Sequence, residues 1–271
     1  MNNNPNGSAV LCAAELKNYF KRYEIKFLIT PEGERAVREA MERHSMSPDR
    51  WGRSRICNLY YDTPDLLLAR NSSGGPIYKE KLRVRSYGEA ERGGRVFVEL
   101  KKKHKGIVYK RRIPMCEGDA MSYLAGGDAE VEPSLLQIKR EIDWFLSFYR
   151  ELSPAVFLSY DREAFFSDED PELRITFDRN IAWRTDRLSL LREEQKDAVC
   201  QSVLPPDVVL MEIKTATAIP LWLTSVLTKN AIFRTPFSKY GNACRAHLAS
   251  LQSAPKPLTR DGQMLLPALP R

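Results

Sequence analysis

Charged and apolar residues alternate along several stretches of this chain, and residues 79–87 show the pattern most fully. Leu82 and Val84 fall on one face at a period of two. The opposite face carries the cations Lys79, Lys81, Arg83 and Arg85. Because successive side chains of a strand point to opposite faces of a sheet, this stretch is predicted to be a strand with one basic and one apolar face. Cations this close repel one another unless water or an anion lies between them.

The same two-residue period predicts further strands along the chain. The predicted strands cover residues 21–29, 55–61, 79–87, 95–103, 107–114, 155–162, 172–178 and 207–215. Helices are predicted where apolar residues recur at helical spacing or where a capping pattern begins, as at Thr30-Pro31-Glu32. The predicted helices cover residues 31–44, 66–70, 134–149, 219–228 and 240–251, and residues 117–127 are predicted to form a short helix and a loop.

These elements predict an α+β fold. About eight strands joined mostly by short connections form a mostly antiparallel sheet. A sheet must bury its apolar face, and the helices are available to cover that face from outside. The charged face then points inward, which predicts an eight-stranded antiparallel β-barrel with a basic lumen and flanking helices. Because a charged interior is unfavourable without a counter-ion, the expected ligand is a polyanion.

Composition supports an anionic partner. The 271 residues contain 42 Lys and Arg against 35 Asp and Glu, a net charge of +7. The five cysteines are scattered without a CxxC pair, which indicates reduced thiols. No stretch has the roughly 18 apolar residues of a membrane helix, and residues 1–14 lack the charged start and long apolar core of a signal peptide. A cytoplasmic protein without a transmembrane segment is therefore expected.

Three regions are predicted along the chain. Residues 1–18 are rich in Asn, Pro and Gly and are predicted to be a disordered arm. Residues 19–252 form the barrel domain, and residues 253–271 are a Pro-rich tail.

Short motifs carry the inward charged residues in a fixed order along the predicted strands. The motifs are Tyr23-Glu24-Ile25-Lys26, Lys81-Leu82-Arg83-Val84-Arg85, Val98-Glu99-Leu100-Lys101, Tyr109-Lys110-Arg111-Arg112, Tyr160-Asp161-Arg162, Met211-Glu212-Ile213-Lys214 and Phe237-Ser238-Lys239-Tyr240. In order and spacing they resemble the triphosphate tunnel metalloenzyme (CYTH-like) superfamily. Within that superfamily, residues 20–250 look like the polyphosphate polymerase domain of the vacuolar transporter chaperone (VTC) family.

The resemblance implies a tunnel that binds ATP, triphosphate or polyphosphate and transfers the γ-phosphoryl group of ATP to a growing chain, with Mn²⁺ or Mg²⁺ as cofactor. By motif, the phosphate-binding residues are Lys26, Arg83, Arg85, Lys101, Lys103, Lys110, Arg162, Arg174, Lys214, Ser238 and Lys239. The residues implied in catalysis are Arg83, Arg85, Lys101, Tyr160 and Arg162. Glu212 is the first candidate for the metal ligand, followed by Glu24 and Glu99.

Two departures from the family pattern change what is expected. Arg22 stands where the simple triphosphatases have a further Glu, which weakens a two-glutamate metal site and favours the polymerase-like branch. Pro236 stands where the resemblance leads one to expect another Lys, so one phosphate contact is either missing or supplied by Arg234.

Several alternatives remain open at the level of the sequence. A tripolyphosphatase or nucleoside triphosphatase would use the same fold, and a non-catalytic module for polyphosphate or RNA would use the same basic lumen. Duplex nucleic acid is not expected, because it needs an exposed basic stripe with base-reading groups. Glu99 is as consistent with a salt bridge to Lys101 or Lys26 as with metal ligation, and Tyr160 is as consistent with a core residue as with a site residue. If the basic rows were an ordinary solvated surface, they would not enclose a lumen.

Overall fold

Nine strands dominate a computed structural model that describes residues 23–73, 77–105 and 107–253. The strands are β1 (Tyr23–Ile29), β2 (Met46–Asp62), β3 (Tyr78–Tyr87), β4 (Arg95–His104), β5 (Ile107–Cys116), β6 (Ser153–Ser167), β7 (Arg174–Arg184), β8 (Gln201–Ser202) and β9 (Val209–Thr215). The helices are α1 (Pro31–Arg43), α2 (Leu67–Ser73), α3 (Glu117–Leu124), α4 (Leu136–Tyr149), α5 (Arg192–Gln195), α6 (Leu221–Lys229) and α7 (Lys239–Ser253). Within these ranges, no helix is long and apolar enough to span a membrane.

All strand pairs are antiparallel, and the sheet runs in the order β1-β9-β7-β6-β2-β3-β4-β5, with β8 beside β7. Among the described residues, the end strands β1 and β5 are not paired with each other. The sheet nevertheless curls enough to bring β4 close to β1, where Lys101 Nζ donates to Glu24 Oε2 at 3.0 Å. The predicted α+β fold with an antiparallel, barrel-like sheet is thus confirmed. Side chains of β4 and β1, rather than backbone hydrogen bonds between the end strands, bridge its open side.

Local sequence accounts for the boundaries of α1. Thr30 is the N-cap and its Oγ1 accepts a hydrogen bond from Gly33 N at 3.3 Å, while Pro31 occupies the first turn. Ser, Thr, Asp and Asn are favoured at this position because their side chains satisfy a free N–H of the first turn. The helix ends at Arg43 beside its C-cap His44, as predicted.

Several predicted boundaries were wrong. Strand β2 begins at Met46, well before residue 55, and β6 and β7 continue to Ser167 and Arg184. Residues 46–54 contain Pro48 and Gly52, which break the alternation that identifies strands. Ser253 is the last residue of α7 rather than the first of the tail, while the predictions for residues 1–18 and 254–271 lie outside the described residues.

Two apolar cores cover the outside of the sheet. One lies under α1 and α6 and includes Phe27 and Phe177, and the other lies under α3 and α4 and includes Leu82 and Leu100. Ile25 and Leu173 also pack into the first core, so the prediction that helices cover the apolar face of the sheet is confirmed here. This leaves the charged positions of the same strands on the inner face.

A third core lies inside the barrel. Its strand residues include Tyr60, Leu158 and Tyr160, and α7 contributes Tyr240 and Ala243. The expectation that all helices cover the outside was therefore wrong for α7. Its apolar stripe has the same helical period as that of an outer helix, so the sequence pattern does not distinguish the two positions.

Asp62 fixes two helices, α2 and α7. Its fully buried carboxylate accepts hydrogen bonds from Leu68 N at 2.8 Å and Ala69 N at 2.9 Å at the start of α2. Oδ2 also accepts from the Tyr240 hydroxyl on α7 at 2.5 Å. The carboxylate thereby caps one helix and holds the other inside the barrel.

We expect Tyr240→Phe to lower the free energy of unfolding by about 1.5–3 kcal/mol, because it removes a hydrogen bond to a buried charged group. Urea denaturation measures this change. Tyr109→Phe is the matched control, since its hydroxyl has no hydrogen-bond partner among the described residues, and it should change stability by less than about 0.5 kcal/mol. Equal stabilities of the two variants would show that the Tyr240 hydroxyl does not anchor α7.

Candidate functional site

The inner face gathers basic side chains from β1, β3, β4, β5, β6, β9 and the start of α7. They are Lys26, Lys79, Lys81, Arg83, Arg85, Lys101, Lys103, Lys110, Arg112, Arg162, Lys214 and Lys239. The same face carries the carboxylates Glu24, Glu99, Asp178 and Glu212. We call this set the inner cluster. Its cations outnumber its carboxylates, so their charge is only partly neutralised by the protein itself.

Glu99 lies at the centre of one half of the inner cluster. Its Oε2 accepts from Arg83 Nη2 at 2.7 Å, and its Oε1 accepts from Lys110 Nζ at 2.9 Å and from Arg112 Nε at 2.7 Å. Burial raises the pKa of Glu99, but Arg83, Arg85, Lys110 and Arg112 together hold it well below its ordinary value. The carboxylate is therefore ionised and holds four cations in place.

The salt bridges of Glu99 run to cations of β3 and β5. The partners expected for it, Lys101 and Lys26, pair with Glu24 and Glu212 instead. The sequence could not give these partners, because they depend on the register between neighbouring strands. In the free protein Glu99 is thus the internal counter-ion of the arginines.

Neutral side chains orient the two arginines of β3. Arg85 Nε donates to Asn58 Oδ1 at 3.0 Å, and Asn58 Nδ2 is fixed in turn by Leu158 O at 3.1 Å. Arg83 Nη1 donates to the Tyr60 hydroxyl at 2.8 Å. Both guanidinium groups are thus fixed before any ligand arrives, which lowers the entropy lost on binding.

Asp178 organises the other half of the inner cluster. It is fully buried and accepts from Arg162 at 2.6 and 2.7 Å and from Lys239 Nζ at 2.5 Å. Burial raises its pKa, but Lys239 and Arg162 lower it to about 2. Because Lys239 belongs to α7, this ion pair joins the inner helix to the strands.

Tyr160 proves to be both a buried residue and a neighbour of the cations. Its ring packs in the inner core, and Arg85 Nη2 donates to its hydroxyl at 3.3 Å. Burial raises the pKa of Tyr160, but Arg162, Arg85 and Lys239 lower it to about 8. The hydroxyl is thus a stronger hydrogen-bond donor than that of an ordinary tyrosine.

Lys81 is a half-buried cation of the inner cluster. Its Nζ donates to Ser238 Oγ at 3.0 Å, and no carboxylate among the described residues pairs with it. Burial lowers its pKa well below the ordinary value, and the neighbouring Lys26, Lys101 and Arg83 lower it further. An anion bound beside Lys81 would favour its charged form.

Glu24 and Glu212 lie on neighbouring strands, β1 and β9, at diagonal positions of the register. Burial raises the pKa of each, but Lys101 lowers that of Glu24, and Lys214 and Lys26 lower that of Glu212. Both carboxylates are therefore ionised. Thr176, directly opposite Glu212 on β7, has a buried hydroxyl that finds no hydrogen-bond partner in the part of the chain that the structure describes.

This donor set fits Mg²⁺ or Mn²⁺. Such ions are held by one or two carboxylates together with phosphate oxygens and water. Within the described ranges no group of three or more His, Cys, Asp or Glu side chains is arranged for a metal ion. A metal between Glu24 and Glu212 would thus take its remaining ligands from the substrate and water.

The remaining predicted site residues are placed as follows. Lys103 and Lys214 lie in the inner cluster, and Ser238 Oγ accepts from Lys81 and caps α7 through Gly241 N at 3.0 Å. Arg174 lies on the inner face at the end of β7 but is half-exposed and pairs with Asp49 at 3.0 Å, so it is not part of the inner cluster. Cations that the predicted set omitted are Lys79, Lys81 and Arg112, although the two-residue period places them on the basic face.

The pH dependence of ligand binding should follow the loss of the proton from the Lys110 ammonium group. Burial lowers its pKa, Glu99 raises it, and Arg85 and Arg83 lower it, which brings it to about 7. A bound phosphate favours the charged form, so affinity is full below pH 7 and falls as the pH rises through this value.

We expect the ratio of wild-type affinity to that of Lys110→Arg for tripolyphosphate to fall on going from about pH 6 to about pH 9, by at most tenfold per pH unit. Arginine stays charged throughout, and the ratio cancels the titration of the ligand itself. Calorimetry at several pH values measures it. A constant ratio would show that Lys110 does not change its charge in this range.

The antiparallel, barrel-like sheet carries its basic residues on the inner face, as the resemblance implies. The chain belongs to the VTC domain family, whose model matches residues 21–248. No curated protein matches the chain.

Solved structures of low sequence identity are similar to the chain. A candidate adenylyl cyclase from Hippeastrum, described as having a dominant triphosphatase activity, is 14% identical with a TM-score of 0.47, covering 83% of this chain and 96% of that chain. A candidate adenylate cyclase from Bacillus halodurans is 14% identical with a TM-score of 0.46, covering 80% and 95%. Another from Vibrio parahaemolyticus is 12% identical with a TM-score of 0.44, covering 82% and 96%.

Proposed function

We propose that the protein is a metal-dependent, polyphosphate polymerase-like enzyme that transfers the γ-phosphoryl group of ATP to a phosphate chain inside the tunnel. The observation that carries this proposal is the inner cluster, in which cations exceed carboxylates and the half-buried Lys81 has no carboxylate partner among the described residues. Membership of the VTC domain family supports a function on phosphate chains.

The inner cluster suits phosphoryl transfer because that reaction depends on positioning and charge stabilisation more than on covalent chemistry by the protein. Arg83, Arg85 and Arg162 are held in fixed orientations and can each grip phosphate oxygens with paired N–H donors. Tyr160 would donate a hydrogen bond to a phosphate oxygen between them, and Lys101 would contact the chain from β4. Together these groups stabilise charge that develops on the transferred group.

Glu212, with Glu24 beside it, would hold Mn²⁺ or Mg²⁺. When bound, the ion neutralises negative charge on bridging phosphate oxygens. Lys214 and Lys26, which pair with Glu212 in the free protein, would then be released to bind phosphate.

The test is incubation of the purified protein with ATP and Mn²⁺ or Mg²⁺, followed by separation of the products by size. Chains longer than the substrate support the proposal. Release of orthophosphate without longer chains would identify a triphosphate hydrolase, and tight binding without turnover would identify a binding module. The same reaction without a divalent ion shows whether the metal is required.

A further inference from the structure

One segment of β2 leaves the sheet beside the inner cluster. The register between β2 and β6 shifts between Pro48 and Arg53, so the residues between them form a bulge. Gly52 in this bulge has a φ of +54°, a conformation that glycine adopts without strain. Trp51 next to it is 68% exposed. Bulges of this kind re-aim side chains next to functional sites.

An ion pair ties the bulge to the inner face. Asp49 accepts from Trp51 N at 3.2 Å and from Arg174 Nη2 at 3.0 Å. Arg174 is on β7 and shares the face of Thr176 and Asp178, and β6 lies between β7 and β2. The ion pair therefore crosses β6 on its inner side and draws the bulge toward the lumen.

A second exposed aromatic residue lies at the same edge. Phe166 on β6 is directly opposite Arg174, and it alternates with Phe165, which packs into the outer core, so Phe166 belongs to the inner face. It is 41% exposed. Arg50 covers the Trp51 ring, with its guanidinium carbon 4.7 Å from the centroid. We call Arg50, Trp51, Phe166 and Arg174 the aromatic rim.

The rim lies at a suitable distance from the inner cluster for a nucleotide. Pro48, where the bulge begins, is opposite Phe165, which is three positions beyond Arg162 on β6. At about 3.3 Å per residue this places the start of the bulge that carries Trp51 roughly 10 Å from the arginine along the sheet. A triphosphate gripped at Arg162 would thus carry its nucleoside toward the rim.

We propose that the aromatic rim binds the base of a nucleoside triphosphate, with Trp51 as the stacking residue. This inference rests on the proposed function, because it assumes that the triphosphate occupies the inner cluster. Base binding would account for two exposed aromatic rings that lie beside cations. Aromatic rings and arginines in such an arrangement stack on the flat faces of nucleobases. Stacking of this kind is tolerant of base identity, so the rim would accept any nucleobase.

The test compares ATP with tripolyphosphate by calorimetry on wild type, Trp51→Ala, Trp51→Phe and Trp144→Ala. We expect Trp51→Ala to weaken ATP binding about tenfold and to leave tripolyphosphate binding unchanged, because only ATP carries a base. Trp51→Phe should keep most of the affinity for ATP. Trp144 is the matched control, because it is 55% exposed but lies on α4 outside the barrel, and its replacement should change neither affinity.

Other outcomes separate the two proposals. If Trp51→Ala weakens both ligands equally, or weakens neither while wild type binds ATP, the assignment of the rim is wrong although the tunnel can still bind phosphate. If wild type binds neither ligand, both proposals are wrong. If wild type binds both but makes no chains, only the polymerase proposal fails, and the rim is still judged by the ratio of the two affinities. Thermal melting of each variant verifies that it is folded.

Discussion

Replacing both Arg83 and Arg85 by alanine is expected to weaken tripolyphosphate binding by roughly 100-fold or more. Each charge-assisted hydrogen bond to a phosphate oxygen contributes about 1.5–3 kcal/mol, and each 1.4 kcal/mol is tenfold in affinity. The effect should be near the upper end, because Tyr60 and Asn58 already orient both guanidinium groups in the free protein. Calorimetry of tripolyphosphate and orthophosphate measures it.

The matched control is Arg53→Ala/Arg55→Ala. These arginines lie on the outer face of β2, where both pair with Asp161, and their loss removes the same net charge without touching the inner cluster. Arg83→Lys should also lower affinity, since lysine cannot make paired N–H contacts. Tripolyphosphate binding should weaken with salt more steeply than orthophosphate binding. Equal affinities for the two anions, or a double variant that binds like wild type, would show that the cations are merely solvated.

Glu212→Gln is expected to remove most of the metal-dependent activity, by about 100-fold or more, while tripolyphosphate binding persists in part. Loss of groups that only orient a metal ligand lowers metal affinity or activity about 10–100-fold, so loss of a ligand itself should lower it at least as much. Phosphate binding should survive, because Lys26 and Lys214 remain and lose their competing carboxylate. Initial rates against Mn²⁺ concentration and calorimetry with tripolyphosphate measure the two effects.

Glu141→Gln is the control for this prediction. Glu141 also pairs with an arginine, Arg111, but it lies on α4 outside the barrel, so its loss should leave metal dependence unchanged. Glu24→Gln should weaken metal dependence in the same direction as Glu212→Gln. Full activity and unchanged metal dependence in Glu212→Gln would identify Glu212 as a purely structural partner of the lysines.

The two-residue alternation of the sequence was sufficient to predict which side chains share the inner face. Arg83 and Arg85 on β3 and Glu99 on β4 all lie there, because a buried apolar face forces the opposite side chains inward. The ion-pair partners of these side chains could not be predicted from the sequence. That Glu99 binds Arg83, Lys110 and Arg112 follows from the register of β3, β4 and β5, which no single strand specifies.

The misplaced elements have physical causes as well. Strand β2 was predicted too short because Pro48 and Gly52 interrupt its pattern at the bulge that aims Trp51. Arg174 was predicted to join the inner cluster because it alternates correctly with Thr176, and it does share that face, but its guanidinium pairs with the Asp49 carboxylate on the bulge instead. The interior position of α7 depends on Tyr240 and its bond to Asp62, which lie far apart in the sequence.

The helix inside the barrel, α7, limits where a phosphate chain could pass. An α-helix with its side chains is about 10–12 Å across, and the interior of an eight-stranded barrel has room for little more than side chains or one small ligand. Tyr240 and Ala243 pack against Tyr60 and Leu158, so α7 fills part of this interior. If a phosphate chain is made in the inner cluster, we therefore expect it to leave the barrel on the side away from α7.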